Sequence, residues 1–153
     1  MRFYFLLIVI LLGCSKNKNR HSEVAESRNA RDYEILADSN YKADNFSSAV
    51  LGFTTLIALD STNGEFFYKR GFSYSKLLEI EKSSNDFLKA IKFRYRPADS
   101  YYMLGLNNMM LRNDSLAVFY FEKSLELAPN VQETIDAMNA CKKGMRPKKE
   151  IGI

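Results

Sequence analysis

The residue types that carry most protein chemistry are scarce in this chain and poorly placed for it. Among 153 residues there is one histidine, His21, and there are two cysteines, Cys14 and Cys141. His21 lies in a polar stretch near the N-terminus, so a histidine-based triad or a zinc site has no candidate in the periodic part of the sequence. Glu79 and Glu81 are the residue type that pairs for acid–base work, but a spacing of two puts them on different faces of a helix. The glycine motifs that cradle phosphates or dinucleotides are absent from the sequence. The reading is therefore no enzyme, no cofactor and no metal. The formal net charge is +4, with basic residues scattered rather than gathered, so nucleic acid is not an expected partner. One residue does have prepared surroundings. Cys14 follows an uncharged run, Phe3 to Leu12, that has only Arg2 ahead of it. A membrane-spanning helix needs roughly 20 apolar residues. This run is too short for that and suits the apolar region of a secretory signal.

The segment Leu11-Leu12-Gly13-Cys14 resembles the bacterial lipoprotein signal. The resemblance implies cleavage between Gly13 and Cys14, and acylation of Cys14 by a thioether-linked diacylglycerol and an N-acyl chain. One acyl chain holds a protein to a bilayer only marginally, whereas two or more hold it stably. Residues 1–13 are thus expected to be a signal peptide, and the lipid bilayer is an expected partner through Cys14. Residues 14–29 are expected to form a flexible tether, in which Lys16, Lys18 and Arg20 can meet anionic headgroups. Serine rather than aspartate after the cysteine resembles the outer-membrane default. The expected address is the bacterial envelope, on the periplasmic face of the outer membrane. An acylated Cys14 leaves Cys141 no disulfide partner in its own chain. Cys141 sits in an apolar pattern and reads as a small buried hydrophobe.

The rest of the sequence is periodic. Phe53, Phe87 and Phe121 stand thirty-four residues apart, and so do Tyr33, Phe67 and Tyr101. The small residues Ala37, Gly71 and Gly105 keep the same interval, as do Ala49, Ser83 and Ala117. Such phase means one structural unit laid down three times. Each unit carries two helical patterns, with apolar residues recurring at three and four. Glycine in mid-helix costs roughly 1 kcal/mol against alanine, so its recurrence in one phase predicts a close approach of the paired helix, with Ala49, Ser83 and Ala117 facing it. Thr62 before Glu65 and Asn130 before Glu133 have capping-box spacing. Pro97 suits the opening turn of a helix, and Lys143-Gly144 suits the end of one. The expected fold is all-α. It consists of three helix hairpins, 30–63, 64–97 and 98–131, and a capping helix, 131–143, in one domain over 30–143. Residues 144–153 form a basic tail.

This pattern resembles the tetratricopeptide repeat, a helix–turn–helix of thirty-four residues. The third unit carries most of it, with Tyr101, Leu104, Gly105, Ala117, Phe121 and Pro129. The second departs at Arg70, where the family has leucine, and at Ser83 and Tyr95. The first has Ala37 for glycine and Asn40 for tyrosine. The resemblance implies an α-solenoid whose first helices line a concave, partner-binding face. The inward residues are charged in the first unit, as at Glu34 and Asp38, and apolar later. Tyr41, Tyr68, Phe72, Tyr102, Leu106, Met109 and Met110 are the candidate groove. Tyr68, Phe72, Tyr102, Leu106 and Met109 are not needed for the hairpin core, and large apolar side chains on a wet face mark an interaction site; the alternative is that they pack against one another or against the N-terminal tether. Some family members clamp a C-terminal carboxylate here, and this chain is unlike them because Glu34, Asp38 and Asp99 would repel one. The expected function is a membrane-anchored, non-catalytic adaptor that binds a peptide or helix of another envelope protein. The alternative is a self-associating structural lipoprotein.

Overall fold

The structure, a computed structural model, describes residues 29–144; the expected signal peptide, Cys14, all but the last residue of the expected tether and all but the first residue of the expected basic tail lie outside the described residues. The described chain is helical. The first helix, α1, covers 29–42. It is followed by α2 (Phe46–Leu59), α3 (Gly64–Lys76), α4 (Ile80–Lys92), α5 (Pro97–Met110), α6 (Asp114–Leu127) and α7 (Gln132–Lys142). The helices α1·α2, α3·α4 and α5·α6 form hairpins, each hairpin packs on the next, and α7 closes the stack against α6. This is the solenoid of three hairpins and a cap that the period predicts.

The turn inside each hairpin repeats the same backbone geometry. Asp44, Leu78 and Arg112, thirty-four residues apart, all sit in the left-handed region, with φ of 58°, 61° and 64°. The next N–H reaches back five residues: Asn45 to the Asn40 carbonyl, Glu79 to Tyr74 and Asn113 to Asn108, each at 2.9 Å. This double closure is the Schellman motif, which satisfies carbonyls that a helix end would otherwise leave open. Glycine is the residue that adopts this conformation without strain, yet none of the three is glycine. The turns are held by their hydrogen bonds and by the docked helices, in spite of the side chain.

Close helix approach occurs where the small residues predict it, but the partners differ. Ala37 on α1 faces Gly52 on α2, and a Cβ on Gly52 would lie 2.7 Å from that of Ala37. In the second hairpin the glycine is on the other helix, with Gly71 against Asp86 and the backbone of Ser83. In the third, Gly105 lies under the Phe121 ring, 2.4 Å from where its Cβ would be. Ala37 and Gly52 thus perform together what Gly71 and Gly105 do singly, and Gly52 carried no sequence signal. Arg70 has its own solution. Its guanidinium grips the buried Asp86 through two bonds, 2.7 and 2.8 Å, and Nη1 donates to Thr54 of the preceding hairpin at 3.2 Å. Arginine therefore occupies a leucine position because the opposite helix supplies a carboxylate. Burial opposes its charge, and the Asp86 bonds more than offset that, raising its pKa.

Two capping expectations are corrected. The cap of α3 is Asn63, whose side chain accepts from the Glu65 N–H, while Thr62 is bound by Asp60. Asn130 is left-handed, at φ 67°, and the residue before α7 is Val131, which makes no side-chain cap bond. Pro97 opens α5 and Gly144, at φ 64°, follows the end of α7, both as read.

The left-handed leucine gives a direct test. Leu78 is 60% exposed, so replacing it removes little packing. Leu78→Gly should raise unfolding free energy by up to about 1 kcal/mol, because relief of backbone strain outweighs the added chain entropy. Urea unfolding monitored by helical circular dichroism measures it, and Leu78→Val should shift the midpoint the other way.

Candidate functional site

The concave face is built by α1, α3, α5 and α7, and side-chain bonds run between these helices. Lys69 on α3 donates to Asp38 on α1 at 2.7 Å and pairs with Glu65 at 2.7 Å. Arg96, just ahead of α5, pairs with Asp99 at 2.6 Å and lies over the Tyr68 ring, 5.2 Å from its centroid. Tyr102 on α5 donates to Glu133 on α7 at 2.7 Å. Burial opposes the charge of Lys69, and its bonds to Asp38 and Glu65 overcome that, so its pKa is raised. It is a spoken-for cation beneath two carboxylates, which leaves this part of the face unsuited to an incoming anion.

The predicted groove residues fall into two groups. Tyr68, at 8% exposure, and Met109, at 7%, belong to the buried core. The expectation that the hairpins pack without them is corrected. Tyr68 meets Phe87 and Tyr95 edge-on at 5.5 and 5.7 Å, and Met109 packs with Ala117, Phe121 and Cys141. Tyr41 and Phe72 are half-buried and meet each other at 5.5 Å. Tyr41 also meets Phe46 and Phe53, so four rings tie α1, α2 and α3 together. Tyr102 and Leu106 are half-buried, while Met110 is 50% exposed. The structure brings Tyr102, Leu106 and Met109 into one cluster with α7. It places Tyr41 and Phe72 at the first junction and Met110 at the open end of α5.

Sequence reasoning missed Lys69, Tyr95 and Arg96 as part of this face. Their signal was weak, because Lys69 and Arg96 look like ordinary surface charges until the fold sets them beside Asp38 and Tyr68. A cleft of about 300 Å³ where the start of α1, the end of α2 and the start of α3 meet was also missed; Arg31, Glu34, Leu56, Asp60 and Phe66 are among its lining. Among the described residues no cluster of three or more histidine, cysteine, aspartate or glutamate side chains could hold a metal. No helix of the described residues is long and apolar enough to cross a membrane.

Burial sets the alkaline behaviour of this face. It pushes Tyr68 up to about 12. It also raises Tyr102, helped by the bond to Glu133, and Tyr41, against the opposing charges of Lys69 and Arg96. A tyrosine whose folded pKa is raised holds its proton in the native state at a pH where the unfolded chain, near 10, has lost it. These residues therefore support the fold fully below about pH 10 and lose that support as pH rises toward 12. Stability should fall across that window, and the 295 nm tyrosinate absorbance should rise later in native than in urea-unfolded protein. Tyr102→Phe should remove part of the delay.

Comparison with known proteins agrees with the geometry. Residues 98–131 match the tetratricopeptide repeat family. The small glutamine-rich tetratricopeptide repeat-containing protein of Dictyostelium discoideum is 35% identical over 129 residues, which is 83% of this chain and 38% of that protein. Anaphase-promoting complex subunit 3 of Schizosaccharomyces pombe is 30% identical over 96 residues, 63% of this chain and 14% of that protein. The chain thus spans well under half the length of these curated relatives. Among solved structures, the second tetratricopeptide domain of human RPAP3, in complex with an HSP70 peptide, superposes with a TM-score of 0.68 at 21% identity, covering 74% of this chain and 94% of that one. The Yersinia enterocolitica type III secretion chaperone SycD, in complex with a peptide of the translocator YopD, gives 0.70 at 14% identity, covering 74% and 92%. The matches are to repeat scaffolds, in line with a non-enzymatic role. The chain is homologous to tetratricopeptide-repeat proteins, and its described residues have their fold.

Proposed function

We propose that this protein is a non-catalytic adaptor of the bacterial envelope, anchored by lipid on Cys14 and binding a peptide or helical segment of another envelope protein in its concave face. The segment runs along the groove marked by Tyr41, Tyr68, Phe72, Tyr102, Leu106, Met109 and Met110. Tyr68 and Met109 act as the rigid floor, and the half-open Phe72, Tyr102 and Leu106 with the exposed Met110 make the contact. Apolar side chains left accessible on a face otherwise bonded helix to helix are the observation that carries this reading. Methionine and tyrosine suit the role, the first by adapting its shape and the second by offering a broad ring with a polar edge. Solved structures of the same fold that hold partner peptides support it. The lipid contributes by confining the adaptor to a surface, which raises its effective concentration near a membrane partner. The address follows from the Leu11-Leu12-Gly13-Cys14 segment and Ser15, and gives the periplasmic face of the outer membrane.

The groove is tested by placing a photo-crosslinking residue at Met110 and, as a control off the groove, at Leu88, which is 46% exposed on α4. The Met110 position should form an adduct with a membrane-fraction protein in intact cells, and the Leu88 position should not. Met110→Glu combined with Phe72→Ala should reduce capture of that protein about ten-fold with an unchanged helical spectrum. Equal adducts from both positions, or undiminished capture by the double variant, would contradict the reading.

A further inference from the structure

The carboxylates of the concave face do not all have the same reason to be there. Glu65 and Glu133 lie in the first turns of α3 and α7, as Asp99 does in α5, where a helix's positive end favours an acid on its own account. Glu34 and Asp38 are different, because they stand in the middle of α1. Asp38 is engaged by Lys69. Glu34 is exposed and stands outside the ion pairs formed by the described residues. It lines the cleft of about 300 Å³ between the start of α1, the end of α2 and the start of α3. The floor of that cleft is apolar, made by the buried Leu56 and Phe66 with Leu59 beside them. Its rim carries Glu34 and Asp60, with Arg31 as the one cation. Hydrogen bonds from Thr62 hold the Asp60 carboxylate ionised by lowering its pKa.

An apolar floor beneath a carboxylate rim matches a side chain with a long aliphatic stem and a charged head. Lysine and arginine have that shape; they bury their methylenes and keep the charge at the edge. We infer that this cleft receives a lysine or arginine side chain of the bound segment, so that the partner segment is basic. The inference rests on the groove reading proposed above and gives that segment its chemistry. Acidic segments are disfavoured at the same point by Glu34 and Asp60. Arg31 competes with the incoming cation for the rim, so its loss should strengthen the preference.

The test uses the full chain in detergent and a displayed library of random twelve-residue peptides, with Met110→Glu as the groove control. Peptides recovered by the native protein and lost with Met110→Glu should be enriched about three-fold or more in lysine and arginine over the input. Glu34→Gln should remove most of that enrichment, and Arg31→Gln should increase it; both residues are exposed, and an unchanged helical spectrum confirms that each variant folds. Groove-dependent peptides that are acidic or uncharged, or an enrichment that Glu34→Gln leaves intact, would overturn this inference while the groove reading stands. Recovery of no peptide sensitive to Met110→Glu would overturn both. If basic peptides are recovered only after residues 145–153, which include Arg146, Lys148 and Lys149, are deleted, the occupant is the chain's own tail and the partner assignment is wrong.

Discussion

A single helix hairpin of this length cannot cover its own apolar face, and the architecture follows from that shortage. The buried clusters show how it is met. Ala49, Phe53 and Leu56 of the first hairpin are closed by Phe66 of the next. Phe87 and Ala90 are closed by Leu104 of the third. Ala117 and Phe121 are closed by Cys141 of α7. Each cluster therefore spans one hairpin and the helix that follows, and the phenylalanine at its centre has no exposure at all: Phe53, Phe87 and Phe121. Full burial of such a ring is worth roughly 1.5–3 kcal/mol, and only the neighbouring unit makes it full. Stability in such a stack resides in the junctions as much as in the hairpins. Polar groups reinforce the second junction, where the buried Asn107 amide donates to Ser83 and Ser84 at 2.9 Å each.

Much of this was legible because the constraint recurs. Three buried phenylalanines at one interval need no structure to be recognised, and mid-helix glycines at the same phase announce tight crossings. What stayed hidden was compensation between residues far apart in sequence. Arg70 looks like a departure until Asp86 is found opposite it. Ala37 looks too large for its position until Gly52 is found across the crossing. The left-handed turns at Leu78 and Arg112 carry no residue that favours that conformation, so local composition gave no sign of them; tertiary docking overrides the local preference. The caps at Thr62 and Asn130 failed for the opposite reason. Their spacing was right, but Asn63 and the left-handed Asn130 set the chain differently.

The proposed groove was legible only in part, since the repeat phase picks out the exposed Met110 and the half-buried Phe72, Tyr102 and Leu106 but not the burial of Tyr68 and Met109. Sequence reasoning favoured a ligand for Tyr68 and Met109 over packing within the chain, whereas the stack buries both in its core. The same position can be core and groove floor at once, because a curved stack brings adjacent first helices together on its inner side. In the proposed function a floor packed this way lowers the ordering cost of binding. The ion pairs across it act similarly, since Lys69 fixes α1 to α3 and the Tyr102–Glu133 bond fixes α5 to α7. In the proposed function, what the groove selects is set by the few side chains left unengaged, chiefly Met110 and Glu34.

Junction-borne stability is tested most directly by amide hydrogen exchange on the intact chain and on a chain ending at residue 131, which lacks α7. The account predicts that α5 and α6 lose protection most, that α3 and α4 lose less, and that α1 and α2 keep theirs, in steps that follow the order of the stack. Equal loss in all helices, or none in α6, would contradict it.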